Sequence, residues 1–284
     1  MFPQYPGRAA LRQSPLWRRA GAVPHFEGVT GPVDDEIPPA LRAEYLAGAS
    51  QQLELLAQLG ARLERDSSDA DALQEFRREV HKIRGAAGSF GFPQGSRVAA
   101  AMEETAKEWV ANPADRSDDR VTIVRWFVTR IAGVLGLDLP GDHPAAVAAP
   151  APAPPPPAGE VPEVIIVEDD TALAELLEFG LRARGYRFAV LRNGREALQH
   201  LRTLDLRGAQ PLLLLDVDLP GLDGYSVFDA LQKERPDVYK VVFTTVHGTE
   251  DEQLRGLEAG ALDYLVKPIS LRVALEKIRR WVGR

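Results

Sequence analysis

A chain of 284 residues is long enough for two ordinary domains, and at 45% hydrophobic and 26% charged it has the composition of a globular protein. Its net charge of −7 leaves no basic excess for a phosphate backbone, so nucleic acid is not an expected partner. It has no cysteine, which excludes disulfides, thiolate metal sites and cysteine nucleophiles and suits a reducing cytoplasm.

In chain order, residues 1–36 come first, with scattered prolines and glycines, balanced charge and no hydrophobic period. They are expected to be disordered, although Phe2, Tyr5, Trp17 and Phe26 leave open a short docking element. The N-terminus lacks the unbroken apolar stretch of a secretion signal. No apolar run anywhere approaches the roughly 20 residues of a membrane helix, so no membrane insertion and a cytoplasmic location are expected.

Residues 37–139 read as helix throughout. Pro38 and Pro39 suit a helix start, after which Leu41, Tyr45, Ala49, Leu53, Leu56 and Leu63 recur at helical spacing. Asp69 is a cap for a second helix that turns Leu73, Phe76, Val80, Ile83, Ala87 and Phe90 inward. A third helix starts near Pro93 and runs to about Val110, and Ser117 caps a fourth that ends near Gly136. Four amphipathic helices with short joints predict an all-α antiparallel four-helix bundle.

Within the second helix, His81 opens the run H-K-I-R-G-A-A-G-S-F-G, from His81 to Gly91. Gly85, one turn along on the same face, costs the helix about 1 kcal/mol. With Ala86, Ala87 and Gly88 it keeps the surroundings of the imidazole low, as close approach by another protein requires. Lys82 and Arg84 add positive charge suited to a phosphorylated histidine or to an acidic partner face. A lone histidine on an amphipathic helix is ordinarily just an exposed side chain; the glycine and the basic neighbours set this one apart. His25, His143, His200 and His247 have no such company and no metal-ligand spacing.

This segment resembles the histidine phosphotransfer (HPt) domain, above all that of chemotaxis-type histidine kinases. The resemblance implies that His81 is phosphorylated, that Arg84 stands in for the usual lysine and that Gly85 gives access. It also implies that Glu103, on the third helix, orients the imidazole: a carboxylate accepting from one ring nitrogen leaves the other nucleophilic. Ala100 stands where that branch has a second histidine, a departure from its pattern.

Residues 140–161 are mostly proline and alanine, with Pro154, Pro155, Pro156 and Pro157 in a row. Such a stretch has little apolar area to bury and few donors for a ladder, which predicts an extended spacer at about 3.1 Å per residue. A passive tether is the plain reading, and a docking site for a proline-reading partner the alternative.

From 162 to 284 the pattern changes to short apolar runs alternating with helices. Val164–Val167, Leu212–Leu215, Val241–Thr244 and Leu262–Val266 have the continuous apolar character of buried parallel strands, with Phe188–Leu191 a weaker one. Helical stretches at Leu173–Arg184, Tyr225–Glu234 and Asp251–Glu258 lie between them. These units predict an α/β doubly wound, five-stranded parallel sheet with its site at the strands' C-terminal ends.

Glu168 and Asp169 follow the first strand, Asp216 ends the third, Thr245 ends the fourth and Lys267-Pro268 follows the fifth. A parallel sheet brings these to one edge. Clustered carboxylates repel one another unless a cation joins them, and hard oxygen ligands select Mg²⁺. With the metal bound, a strand-end carboxylate is placed to attack phosphorus while metal, ammonium and hydroxyl hold the phosphoryl oxygens.

The runs V-E-D-D (Val167–Asp170), D-V-D-L-P-G-L-D-G (Asp216–Gly224), T-V-H-G (Thr245–Gly248) and G-A-L-D-Y-L-V-K-P (Gly260–Pro268) resemble the flavodoxin-like receiver domain of two-component response regulators. On that resemblance Asp216 is the phosphoacceptor, Asp169 ligates Mg²⁺ directly, Glu168 does so through water, and the Asp218 carbonyl is a further ligand. Thr245 bonds the phosphoryl group, Lys267 pairs with it across a cis Lys267-Pro268 bond, and Tyr264 is the aromatic that swings inward upon activation. Two positions depart from the family pattern: Val246 is bulkier than the usual alanine or glycine, and Asp218 puts a second carboxylate near the acceptor. Both bear on phosphorylation and dephosphorylation rates, as does His247, and an autophosphatase activity fits the same site.

Together the two resemblances imply a phosphorelay protein: Asp216 takes phosphoryl from a phosphohistidine, and His81 exchanges it with a receiver aspartate. No phosphate-cradling glycine loop of a kinase is visible, so a histidine kinase and other receiver or HPt proteins are the expected partners. The competing expectation is a phosphorylation-switched interaction scaffold in which one of the two sites is silent.

Overall fold

In the computed structural model, residues 37–115, 119–138, 161–246, 257 and 260–283 are described. The expectations for residues 1–36, for Ser117, for the spacer 140–160, for His25, His143 and His247 and for most of the helix at 251–258 lie outside them.

Four helices come first: α1 (Pro39–Arg65), α2 (Ala70–Ser89), α3 (Pro93–Ala111) and α4 (Arg120–Leu135). Proline within the first turn starts both α1 and α3, where its missing N–H leaves no hydrogen bond unmade. Asp69 caps α2 by accepting from the Ala72 N–H. At α4 the cap is Asp119, which accepts from the Thr122 N–H. A carboxylate directly before the first turn reaches its free N–H groups. Gly136 closes α4 in the left-handed region, at φ 67°.

The inward stripes of the four helices meet in a core of Leu53, Leu56, Leu63, Phe76, Met102, Trp109, Phe127 and Ile131. Leu41 is a correction: expected on the inward stripe, it is 50% exposed, because α1 overhangs the other helices at its first turn and Tyr45 begins the packing by stacking on Phe90 at 4.5 Å.

The second half is built on β1 (Val164–Val167), β2 (Phe188–Leu191), β3 (Leu212–Asp216), β4 (Lys240–Thr245) and β5 (Asp263–Val266). They form one parallel sheet in the order β2-β1-β3-β4-β5. Among the described residues the flanking helices include α5 (Thr171–Ala183), α6 (Gly194–Thr203), α7 (Gly224–Glu234) and α8 (Leu271–Val282). β1 and β3 are buried along their whole length, which is why both read as unbroken apolar runs. Leu262, expected at the head of β5, lies just before it and is 44% exposed.

The described residues fall in one compact unit. The bundle core continues without a break into Phe179, Leu271, Leu275 and Ile278 on α5 and α8, so α3 and α4 pack against the sheet's helices as well as against their own bundle.

Candidate functional site

Parallel strands carry their C-terminal ends to the same edge, and the order reverses between β1 and β3, leaving a crevice there. Glu168 and Asp169 leave β1 at this edge, Asp216 ends β3, Thr245 ends β4, and Lys267 follows β5. Lys267 Nζ stands 2.7 Å from Glu168 Oε1 and 2.9 Å from Asp216 Oδ2, bridging two nearly inaccessible carboxylates. Oxygens of Glu168, Asp169 and Asp216 lie within 4.8 Å of one another, and of the three only Asp169 is exposed. The Thr244 hydroxyl donates to Glu168 Oε2 at 3.3 Å, a contact not anticipated from sequence. Thr245 is 1% exposed, and its carbonyl accepts from the Lys267 N–H at 2.8 Å, tying the ends of β4 and β5 together. The Lys267-Pro268 bond is cis.

The electrostatics of this edge are strained towards a cation. Burial, reinforced by the neighbouring Asp216 charge, pushes Glu168 up to about 7 even with Lys267 beside it. Asp169 is raised too, by burial first and then by Asp216. Burial pulls Lys267 down, but the two carboxylates outweigh it and hold the ammonium charged. One lysine therefore does not neutralise three carboxylates.

The other expected residues fall around this cluster. The Asp218 side chain is exposed and outside the carboxylate trio, while its N–H donates to Asp216 Oδ1 at 3.3 Å. Tyr264 is buried, its ring 5.3 Å from that of Phe243. Val246 is 55% exposed immediately past Thr245.

The turn after β3 holds the Asp216 end of the strand in place. A Cβ at Gly224 would stand 2.1 Å from the Asp216 carbonyl oxygen, so no larger residue fits without moving the strand end. Gly224→Ala is expected to cost ~1–3 kcal/mol in denaturant unfolding. An unchanged midpoint would show that the turn yields freely.

In the bundle, His81 is exposed on α2 and its Nδ1 lies 3.1 Å from Glu103 Oε1 on α3. Glu103 is buried, and its other oxygen accepts from Arg84 Nη1 at 2.9 Å. Lys107, which sequence reading missed, stands one turn along α3 at 3.9 Å from Glu103 Oε1. Its i,i+4 spacing from Glu103 is the signal that would have found it. Burial alone would raise the Glu103 carboxyl, but the bonds from Arg84 and His81 and the Lys107 charge outweigh it and hold the group below the usual carboxylate range. Lys82 instead pairs with Glu79 at 2.6 Å. Gln74, Arg77, Arg78, His81, Lys82 and Glu103 line a shallow hollow of about 350 Å³. Gly85 is exposed, and a Cβ there would meet nothing within 4 Å, so the space beside the imidazole is open.

Comparison with known proteins bears on both halves. The family model of the Hpt domain matches residues 40–126, and that of the response regulator receiver domain matches residues 164–279. The chain thus contains an Hpt domain and a response regulator receiver domain, a pairing that fits two-component phosphorelay signalling. Among curated proteins, the transcriptional regulatory protein AfsQ1 of Streptomyces coelicolor is 35% identical over 124 residues, which are 44% of this chain and 52% of that protein. PrrA of Mycobacterium tuberculosis, also a transcriptional regulatory protein, is 36% identical over 123 residues, 43% of this chain and 51% of PrrA. The chain therefore spans about half the length of the curated relatives it matches. Among solved structures, the receiver domain of a LuxO repressor protein from Vibrio parahaemolyticus is similar at 29% identity and a TM-score of 0.40, covering 44% of this chain and 92% of that one.

Proposed function

We propose that this protein relays phosphoryl groups through two sites, Asp216 in the receiver and His81 in the bundle. The observation that carries the reading is the convergence of Asp216, Glu168 and Asp169 with Lys267 at one sheet edge. Three carboxylate oxygens this close are the donor set of a hard divalent cation, which supports Mg²⁺ as the cofactor. Asp169 and Asp216 would hold it directly, Glu168 through water, and the Asp218 carbonyl would complete the protein's share. When bound, the metal supplies positive charge against the transferring phosphoryl oxygens.

The chain's own groups do the rest. An Asp216 carboxylate oxygen attacks the phosphorus of a phosphohistidine donor; a P–O bond forms and the P–N bond to the donor imidazole breaks. Lys267, already 2.9 Å from Asp216, pairs with the incoming charge. Thr245 at the end of β4 donates to a phosphoryl oxygen. Tyr264, packed on the β4 residue Phe243, is the side chain through which occupancy at this edge reaches the outer face of the domain.

At His81, Glu103 accepts from Nδ1–H and leaves the Nε2 lone pair free to attack phosphorus. Arg84 and Lys107 keep Glu103 ionised, and Gly85 leaves room for the partner. Partners are a histidine kinase and other receiver or HPt proteins. The absence of cysteine supports a cytoplasmic setting, and among the described residues no helix is long and apolar enough to cross a membrane.

Labelling by radioactive acetyl phosphate with Mg²⁺ tests this reading. The native chain is expected to take up base-labile label that Asp216→Ala and EDTA both abolish. A phosphorylated receiver protein is expected to give acid-labile label on native chain but not on His81→Gln. Label that survives Asp216→Ala at the receiver would sink the acceptor assignment.

A further inference from the structure

The packing of the bundle on the receiver bears on which aspartate serves His81. Three kinds of contact join the halves. Trp126 of α4 stacks on Phe179 of α5 at 5.3 Å, both nearly inaccessible. The Thr105 hydroxyl of α3 accepts from the Leu271 N–H at the start of α8, at 3.0 Å. Ion pairs frame these: Arg97 with Asp170 at 2.8 Å, Arg272 with Asp115 at 2.5 Å and Glu108 at 3.4 Å, and Arg130 with Glu175. Apolar centre, satisfied polar groups and a charged rim are the anatomy of a built interface.

On α3, the residues in hydrogen bonds or ion pairs to the receiver helices and the Asp170 cap are Arg97, Thr105 and Glu108. At about 100° per residue, Glu103 projects about 120–160° away from each of them. Glu103 is the residue that holds His81. The imidazole therefore sits across α3 from the receiver, with a helix about 10 Å thick in between. The residues lining the hollow at His81 come from α2 and α3 alone. On the receiver side, Arg97 reaches Asp170, next to Asp169, so the acidic edge adjoins the opposite flank of the same helix. Transfer needs the reacting atoms at about 3–3.5 Å.

We propose that this interface holds His81 and Asp216 of one chain apart, so that His81 exchanges phosphoryl with the carboxylate-lined site of a receiver on another molecule. The inference rests on the assignment of both residues as phosphosites. In the step, Nε2 of neutral His81 attacks the phosphorus of an aspartyl phosphate. The P–N bond forms, the P–O bond breaks and the donor aspartate leaves as carboxylate. The proton stays on Nδ1, facing Glu103. The cationic rim of the hollow, Arg77, Arg78 and Lys82, meets the acidic edge of the incoming receiver.

The test loads Asp216 of the full chain with radioactive acetyl phosphate and Mg²⁺, removes the donor, and follows acid-labile label on His81 over a dilution series. Asp216→Ala carried through the same steps corrects for direct labelling. The native chain is expected to show no dilution-independent transfer. Two variants open the interface: Trp126→Ala, and the charge reversal Arg97→Glu with Arg272→Glu, which leaves the apolar centre intact should Trp126→Ala misfold. With the halves joined only by the segment 140–161, an effective concentration of about millimolar applies, and transfer within the chain is expected to rise at least ~10-fold and to be independent of dilution. Dilution-independent transfer in the native chain, or no gain in folded charge-reversed protein, would overturn the inference and leave both phosphosites standing. Failure of Asp216 to label in any form would overturn the acceptor assignment, and this inference with it. Mixing loaded His81→Gln with Asp216→Ala identifies the source: transfer between them makes a second copy a competent donor, and its absence assigns the role to a receiver on a different protein.

Discussion

Lys267→Ala is expected to cost the receiver about 3–5 kcal/mol at pH 8, because it leaves two buried carboxylates without their cation. The loss should shrink at pH 5, and the sign follows from Glu168. Burial lifts its carboxyl to about 7 in the folded protein, against an ordinary 4.5. A carboxyl raised by folding weakens the fold progressively as pH climbs from the ordinary value to the folded one. At pH 5, below the folded value, Glu168 in the folded protein is protonated and has less need of a counter-charge; at pH 8 the charge must be held in place. Removing Lys267 raises the carboxyl further and widens the window. Guanidinium unfolding of the receiver at both pH values, in EDTA, measures this. Equal losses at pH 5 and pH 8 would show that Lys267 acts by packing alone. Mg²⁺ at pH 8 should restore part of the stability, since it supplies charge to the same oxygens, and phosphoryl uptake should stay impaired because the ammonium is gone.

Glu103→Ala should slow phosphoryl uptake at His81 by about 10–100-fold, the usual penalty for removing a group that orients an imidazole. His81 itself stays on its exposed face of α2, so the effect is one of tautomer and ring angle, not of access. Glu103→Gln keeps an acceptor for Nδ1–H and should recover most of the rate. A full rate in Glu103→Ala would mean that the incoming partner orients the ring. The same residue has a stability signature. Arg84, His81 and Lys107 hold its carboxyl below the ordinary 4.5, despite burial. A carboxyl depressed by folding contributes stability that is complete above the ordinary value and disappears as pH falls through the folded one. Acid unfolding of the bundle should therefore lose part of its slope below about pH 4.5 in Glu103→Gln. An identical acid limb would separate the orienting geometry from any electrostatic contribution.

Much of this architecture is legible in one dimension. Unbroken apolar runs at Val164–Val167 and Leu212–Leu215 are what strands buried on both faces require, and they form β1 and the buried body of β3. The helical period placed Leu53, Leu56, Leu63, Phe76 and Val80 in a core, because a 3.6-residue repeat leaves a stripe that only another helix can cover. Asp69 was readable as a cap because capping is local chemistry. Glu168, Asp169, Asp216 and Lys267 meet because parallel topology forces strand ends to one edge.

What the sequence determined, then, were the elements, their inward faces and the residues that end the strands, since each depends on neighbours a few positions away or on a rule that holds for every parallel sheet. Tertiary structure alone decided which surfaces meet. Trp126 of the bundle and Phe179 of the receiver are buried against each other, and no period shows this, because a hydrophobic period records that a face is covered and not what covers it. The grip of Arg84 and Lys107 on Glu103 and the exposure of Leu41 also belong to the fold in three dimensions. So does the position of His81 across α3 from the receiver, which turns on the angle between Glu103 and Arg97 around one helix once that helix is wedged between two partners.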